Sequence, residues 1–297
     1  MSFSLKNFWG VGLRPHHYES WLFDTPPGKC TLEAISENYL YHNGGPALYY
    51  LDQLVERFPL VLHGVSLNFG SADPIDRNYI QRLKKLIKRV KPSVVSDHLS
   101  FSAIGGKHSH SLIPLPRDPK YLKSLRSRLL WLQDELDHPF TLENIPRYLQ
   151  YKNNEMSEVS FIMELIEGTG AGLLMDVNNL YVTCSNEGSD PVAEIAKLKP
   201  GCVNQYHIAA HMDAEGFLYD THSGKIKPEV WQLLNKAISL SGAAPIVLER
   251  DDHEPLSATW EDWDGQSIAP AVESASRVNI ATKLSDRYHS VSSGASL

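Results

Sequence analysis

Eight short apolar runs, each followed by a stretch of helical period, constrain this chain more than any other feature. The runs are FWGVGL (8–13), TLEAIS (31–36), LVLHGVSL (60–67), SVVSDHL (93–99), FTLEN (140–144), GLLMDVN (172–178), CVNQYHI (202–208) and PIVLER (245–250). Most are continuous rather than alternating hydrophobics, as in parallel strands covered on both faces. Between them lie stripes at i, i+3, i+4, i+7 spacing, the clearest being Leu122, Leu125, Leu129, Leu132 and Leu136. Others run through Leu48, Leu51, Val55 and Phe58, through Ile80, Leu83, Ile87 and Val90, through Met156, Val159, Met163 and Ile166, and through Val230, Leu233 and Ala237. The pairs Asp73-Pro74, Asp118-Pro119 and Asp190-Pro191 read as helix starts, with Asp as N-cap and Pro at the first helical position. A last helix is expected within 258–285.

Eight strands with intervening helices point to an α/β fold, a closed TIM (β/α)8 barrel, which 297 residues suit. One barrel domain over 1–289 and a disordered tail at 290–297 are expected. A doubly wound open sheet is the alternative. No Gly-x-Gly-x-x-Gly follows a strand, which counts against that sheet and against a nucleotide role. A formal charge of −7 disfavours nucleic acid as a partner. No window approaches a membrane span, and the N-terminus lacks the layout of a signal peptide. Cys30, Cys184 and Cys202 are too few and too scattered for a disulfide framework or a thiolate metal site, so a cytoplasmic protein is expected.

In a TIM barrel the chemistry sits at the C-terminal strand ends, and here those ends carry metal-binding residue types. His63 lies on the third run, His98 on the fourth after Asp97, Glu143 on the fifth, Asp176 on the sixth and His207 on the seventh, with His211 just after it. Asp220 and His222 follow in YDTHSGK, and Glu249 ends the eighth run. Successive steps from His63 to His98, Glu143, Asp176, His207 and Glu249 are 35, 45, 33, 31 and 42 residues, each about one βα unit. One His or carboxylate is thus delivered per strand to one end of the barrel. Burying so many carboxylates together requires a neutralising cation. Nine nitrogen or oxygen donors without sulfur exceed what one metal takes. They suggest two or three ions of iron, zinc or manganese.

A lone buried His is usually a hydrogen-bonded core residue; the shared register of nine residues is what argues for metal. The remaining histidines lack that register. His16, His17, His108 and His110 read as loop residues, and His42, His138 and His253 as surface. Arg14 and Arg147 follow strand ends and suit either a substrate carboxylate or an ion pair. Glu37-Asn38-Tyr39 suits either a substrate-facing or a supporting role.

Taken in order, GVGLRPHHY, ISENY, LHGVSLNFGS, SDHLSFS, ENIPRY, LLMDVNNLYV, YHIAAH, DTHSGK and LERD resemble the multinuclear non-heme iron-dependent oxidative enzymes, the family of the methanobactin biosynthesis oxidase. The resemblance runs from about Gly10 to Asp251. It implies a barrel with two or three irons in mixed Fe(II)/Fe(III) states, O2 as co-substrate, and a ribosomally made precursor peptide modified at Cys, Asn or Asp. It also implies a separate leader-recognition partner protein. The family's ligands fall on His63, His98, Glu143, Asp176, His207, His211, Asp220, His222 and Glu249. Asn178 stands beside that set, Asp97 is expected to orient a ligand and Arg147 to meet substrate; these three are the candidate catalytic residues. The family often carries Trp after the SDHLS motif; Phe101 stands here. Two alternatives remain open on the residues alone: a metal-dependent hydrolase or sugar-isomerase-like barrel, and a metal-binding protein without turnover.

Overall fold

The computed structural model describes residues 9–24 and 30–263. In chain order the described strands are β1 (Trp9–Gly12), β2 (Thr31–Ile35), β3 (Leu60–Gly64), β4 (Val95–His98), β5 (Ser100–Ile104), β6 (Lys107–Pro114), β7 (Thr141–Glu143), β8 (Gly172–Asp176), β9 (Val203–Ile208), β10 (His211–Ala214), β11 (Phe217–Asp220) and β12 (Ile246–Leu248). Eight of them form a closed parallel barrel in the order β1-β12-β9-β8-β7-β4-β3-β2. This is the TIM barrel expected from the sequence, and helices cover its outside. The barrel strands are covered on both faces: every residue of β3 and β8 is buried. That is why their sequences do not alternate.

Two elements were not foreseen. β5 and β6 form one antiparallel hairpin after the fourth barrel strand, and β10 and β11 form another after the seventh. Both leave the C-terminal end of the barrel, so they extend its mouth. His108 and His110, read as loop residues, lie exposed on β6.

Helix starts follow local capping. Asp118 accepts from Lys120 N at 2.9 Å and opens Pro119–Leu136; Asp190 accepts from Val192 N at 2.9 Å and opens Pro191–Ile195. The third expected start is corrected. Helix Arg77–Val90 is capped by Asp76, which accepts from Asn78 N at 2.8 Å. Asp73 instead accepts from Gly105 N at 2.6 Å, which commits it to the β5–β6 turn. The last helix among the described residues spans Leu256–Trp263, and the Trp263 ring stacks on Trp9 at 4.5 Å. The rest of 258–285 and the tail at 290–297 lie outside the described residues.

Candidate metal centre

Parallel register aligns the strand ends. Glu143 of β7 pairs with His98 of β4, and Asp176 of β8 pairs with His207 of β9. His63 is one residue from the end of β3, beside Gly64, where a Cβ would collide with the Asp97 carboxylate. The barrel's closure then turns these side chains inward.

Two donor sets result. His63, His98 and Glu143 form one; Glu143, Asp176, His207 and Glu249 form the other, with one donor atom from each residue of a set within 4.8 Å of the rest. Glu143 belongs to both, through different oxygens. Its Oε2 lies 3.2 Å from His63 Nε2 and 3.3 Å from His98 Nε2, while its Oε1 lies 3.2 Å from His207 Nδ1. Glu249 Oε2 is 3.0 Å from the same His207 Nδ1. Yet Glu143 Oε2, Asp176 Oδ2 and His207 Nδ1 are buried and make no hydrogen bond. Unsatisfied buried donors and acceptors are rare and costly. Here they converge, which fits cations bound between them.

The electrostatics agree. Burial, then Asp220, Glu143 and Glu249, push the Asp176 carboxyl well above its ordinary pKa, and burial also raises Glu143. His207 is opposed by burial but raised well above 6.5 by Glu249, Glu33 and Glu143. His98 is likewise opposed by burial and lifted to about 9, chiefly by Glu143. His63 is lowered by burial and by its neighbours His98 and His207. Glu249, by contrast, is opposed by burial but held well below its ordinary pKa by His207 and His222; a divalent cation would supply the positive charge these carboxylates lack.

The surrounding residues fix the donors' orientation. Glu33 of β2 is 1% exposed, and its Oε2 lies 2.7 Å from His207 Nε2. A carboxylate only accepts, so Nε2 carries the proton and Nδ1 presents its lone pair. Gln205, two residues before His207 on β9, also donates to Glu33. Ser96 Oγ is bonded to His63 Nδ1 at 3.0 Å, leaving Nε2 toward Glu143. Neither Glu33 nor Gln205 stood out among the sequence candidates. Their signal was a polar residue inside an apolar barrel strand.

Asp176 has two tasks. Its Oδ1 accepts Asn179 N at 2.6 Å and caps helix Val177–Glu187, and its Oδ2, buried without a hydrogen bond, is left for the donor set to which the residue belongs. Asn144 locks the same turn, accepting Asp176 N at 2.9 Å and donating to Asp176 O at 2.8 Å. Asp176→Asn should therefore keep the helix cap and lose metal. Asp176→Ala should lose both, with about 1 kcal/mol of cap stability gone as well. Metal content and thermal melting of the two metal-free variants check this; equal melting would refute the capping role.

The other sequence candidates are placed as follows. Asn178 sits in the first turn of Val177–Glu187. Its Nδ2 donates to Asp220 Oδ1 at 2.7 Å, so its Oδ1 accepts His211 Nδ1–H, also at 2.7 Å. His211 Nε2 is then a buried lone pair without a partner. His222 lies 2.9 Å from Asp220 and 3.8 Å from Glu249, and its Nδ1 donates to Asp251, which Arg14 holds at 2.7 Å. Thus Asp220 and His222 border the second set, while His211 joins them through Asn178. These three do not themselves close a set of three donors among the described residues. Asp97 precedes His98 on β4; its Oδ1 lies 3.7 Å from His98 Nδ1, and the carboxylate accepts the N–H groups of Leu67 and His98 at 3.0 and 2.7 Å. Arg147 is buried between Glu158 and Glu187, and no bond of its guanidinium goes to the cluster. Arg14 and Arg147 thus both serve ion pairs. Glu37 accepts from Tyr79 and Val65 N, bracing β3.

A family model described as "RiPP precursor modification enzyme MbnB/TglH/ChrH" matches residues 8–264. The chain belongs to this family. A UPF0276 protein of Caulobacter vibrioides is 39% identical over 246 residues, 83% of this chain and 88% of that one. A UPF0276 protein of Chromobacterium violaceum is 38% identical over 256 residues, 86% and 92% of the two chains. Among solved structures, an L-ribulose 3-epimerase superposes with a TM-score of 0.54 at 14% identity, covering 97% of this chain and 98% of its own. Endonuclease IV of Thermus thermophilus also scores 0.54, at 12% identity, over 85% and 95%. Those two share the barrel fold with this MbnB/TglH/ChrH-family protein. No helix among its described residues is long and apolar enough to cross a membrane.

Proposed function

We propose that this protein is an iron- and O2-dependent oxidoreductase that modifies a ribosomally synthesised precursor peptide. The observation that carries the reading is Glu143, whose two oxygens face two separate His/carboxylate sets in a member of a precursor-modifying family. A carboxylate so placed suits a bridge between two metal ions. His63 and His98 would complete one position; Asp176, His207 and Glu249 would complete the other. A third ion would draw on His211, Asp220 and His222. Imidazole and carboxylate donors without sulfur suit iron.

Bound iron would supply redox chemistry toward O2 and an electrophilic position for a substrate side chain. The chain's own residues hold that geometry. Glu33 fixes His207, Ser96 fixes His63, and Asp251 fixes His222. Asp97, Asn178 and Arg147 act as positioning residues in this reading: Asp97 sets the turn after β3, Asn178 ties His211 to Asp220, and Arg147 anchors the segment after Glu143. The substrate residue is a Cys, Asn or Asp of the peptide, with a separate leader-recognition protein as partner. All three cysteines are free thiols, as suits the cytoplasm.

The test is elemental analysis of protein from iron-supplemented cells, followed by oxygen uptake with the precursor peptide. Two to three irons per chain and peptide-dependent O2 consumption are expected. Zinc or manganese alone, or turnover without O2, would move the assignment to a hydrolase or isomerase. Chelation should also lower the melting temperature: a ligand at a hundred times its Kd stabilises by about 2.7 kcal/mol, which is several degrees for a chain of this size. An unchanged melting curve after complete metal removal would contradict a centre buried this deeply.

A further inference from the structure

A cavity of about 550 Å³ lies between the β5–β6 hairpin, the loop after β3 and helix Pro119–Leu136, lined chiefly by Phe101, Leu115, Tyr121, Leu125 and Tyr151. Nothing in the metal-binding arrangement uses it. Its walls continue two ligand-bearing strands. Phe101 is three residues beyond His98, and Tyr151 is eight beyond Glu143. It therefore opens at the same end of the barrel as the metal centre. Ile104 and Tyr121 on its walls are 51% and 41% exposed, an apolar rim left to water.

We propose that this cavity is a specificity subsite for a large neutral side chain, aromatic or branched aliphatic, of the precursor peptide. This rests on the peptide-modifying reading above. Charge selects the occupant. No carboxylate or lysine is among the described residues that line the cavity. The one cationic group among them, the Arg128 guanidinium, is directed at the main-chain carbonyls of Phe69, Ser71 and Asp73. An acidic side chain entering there would lose its water for no built partner, whereas an apolar one gains from burial. The rings of Phe101, Tyr121 and Tyr151 offer faces and edges to an aromatic guest. The volume falls within the range of small-ligand pockets and holds one large side chain with its flanking backbone.

Two variants test this by placing bulk on exposed positions of opposite walls, Ser124 on helix Pro119–Leu136 and Ala72 on the loop after β3. Full-length iron-loaded protein is titrated with N-acetyl-phenylalanine amide, N-acetyl-leucine amide and N-acetyl-aspartate amide, followed by saturation-transfer NMR. The phenylalanine and leucine amides should bind in the range of about 1 mM, as expected for ligands this small, and compete with each other. The aspartate amide should bind at least tenfold more weakly. Ser124→Trp and Ala72→Trp should each weaken the phenylalanine amide at least tenfold with iron content and melting temperature unchanged. Undiminished binding in both variants, or equal binding of the aspartate amide, would overturn the subsite. So would a wild-type dimer that either Trp variant dissociates, since the cavity would then face a second copy. Loss of the iron reading would show in metal content and O2 uptake, which these titrations do not measure.

Discussion

Glu143→Gln should purify with less than one tightly bound metal per chain and with peptide oxidation reduced at least a hundredfold. The reason is topological. Each other donor serves one set, but Glu143 faces His63 and His98 through Oε2 and His207 through Oε1. A carboxamide offers one acceptor oxygen and turns an N–H2 toward the other set, which no metal accepts. The substitution is nearly isosteric in a residue 2% exposed, so the barrel should persist. Metal-free Glu143→Gln should melt close to the metal-free wild type, because the substitution removes repulsion toward Asp176 and Glu249 along with attraction toward His98 and His207. Metal-loaded wild type should melt well above both. Elemental analysis and paired melting curves separate the ligand role from a folding defect. Retention of two metals by the variant would sink the bridging assignment.

Glu33→Gln should bind metal about 10–100-fold more weakly while keeping every direct donor, the usual consequence of losing the carboxylate behind a ligating imidazole. Glu33 is 172 residues from Gln205 and 174 from His207, yet it holds both. A glutamine there still fills the space, but an imidazole N–H bonded to a neutral acceptor makes Nδ1 a poorer donor. Its amide also admits the flipped imidazole that points Nδ1 away from Glu143 and Glu249. Equilibrium metal titration in competition with a chromophoric chelator reads the affinity, and the iron centre's absorption spectrum reads the altered His207. Wild-type affinity together with an unchanged spectrum would show that Glu33 only fills the core.

Much of this centre was legible in the order of residues. His63, His98, Glu143, Asp176, His207 and Glu249 were found because a βα unit has a nearly fixed length and parallel strands end at one face. One ligand-type residue per unit must then converge. Glu33 was not found, because its one local mark, a charged residue inside the apolar run TLEAIS, names no partner. It lies within a strand rather than at its end, and its partner is most of the chain away. Asp97 and His98 are adjacent and similar on paper, but only His98 belongs to a donor set, while Asp97 accepts main-chain N–H groups. Arg147 follows a strand end as the clustered residues do, yet Glu158 and Glu187 claim it. Asp73 reads as a cap as well as Asp76 does; only the hairpin turn at Gly105 decides between them.

The sequence by itself determined the barrel and the end of it at which His and carboxylate side chains gather, because those follow from period, spacing and residue type. The tertiary structure decided which oxygen of Glu143 meets which histidine, which carboxylates hold imidazoles in place, and which side chains enclose a cavity under the β5–β6 hairpin. Those are matters of side-chain direction and of contacts between distant segments, and a one-dimensional pattern carries neither.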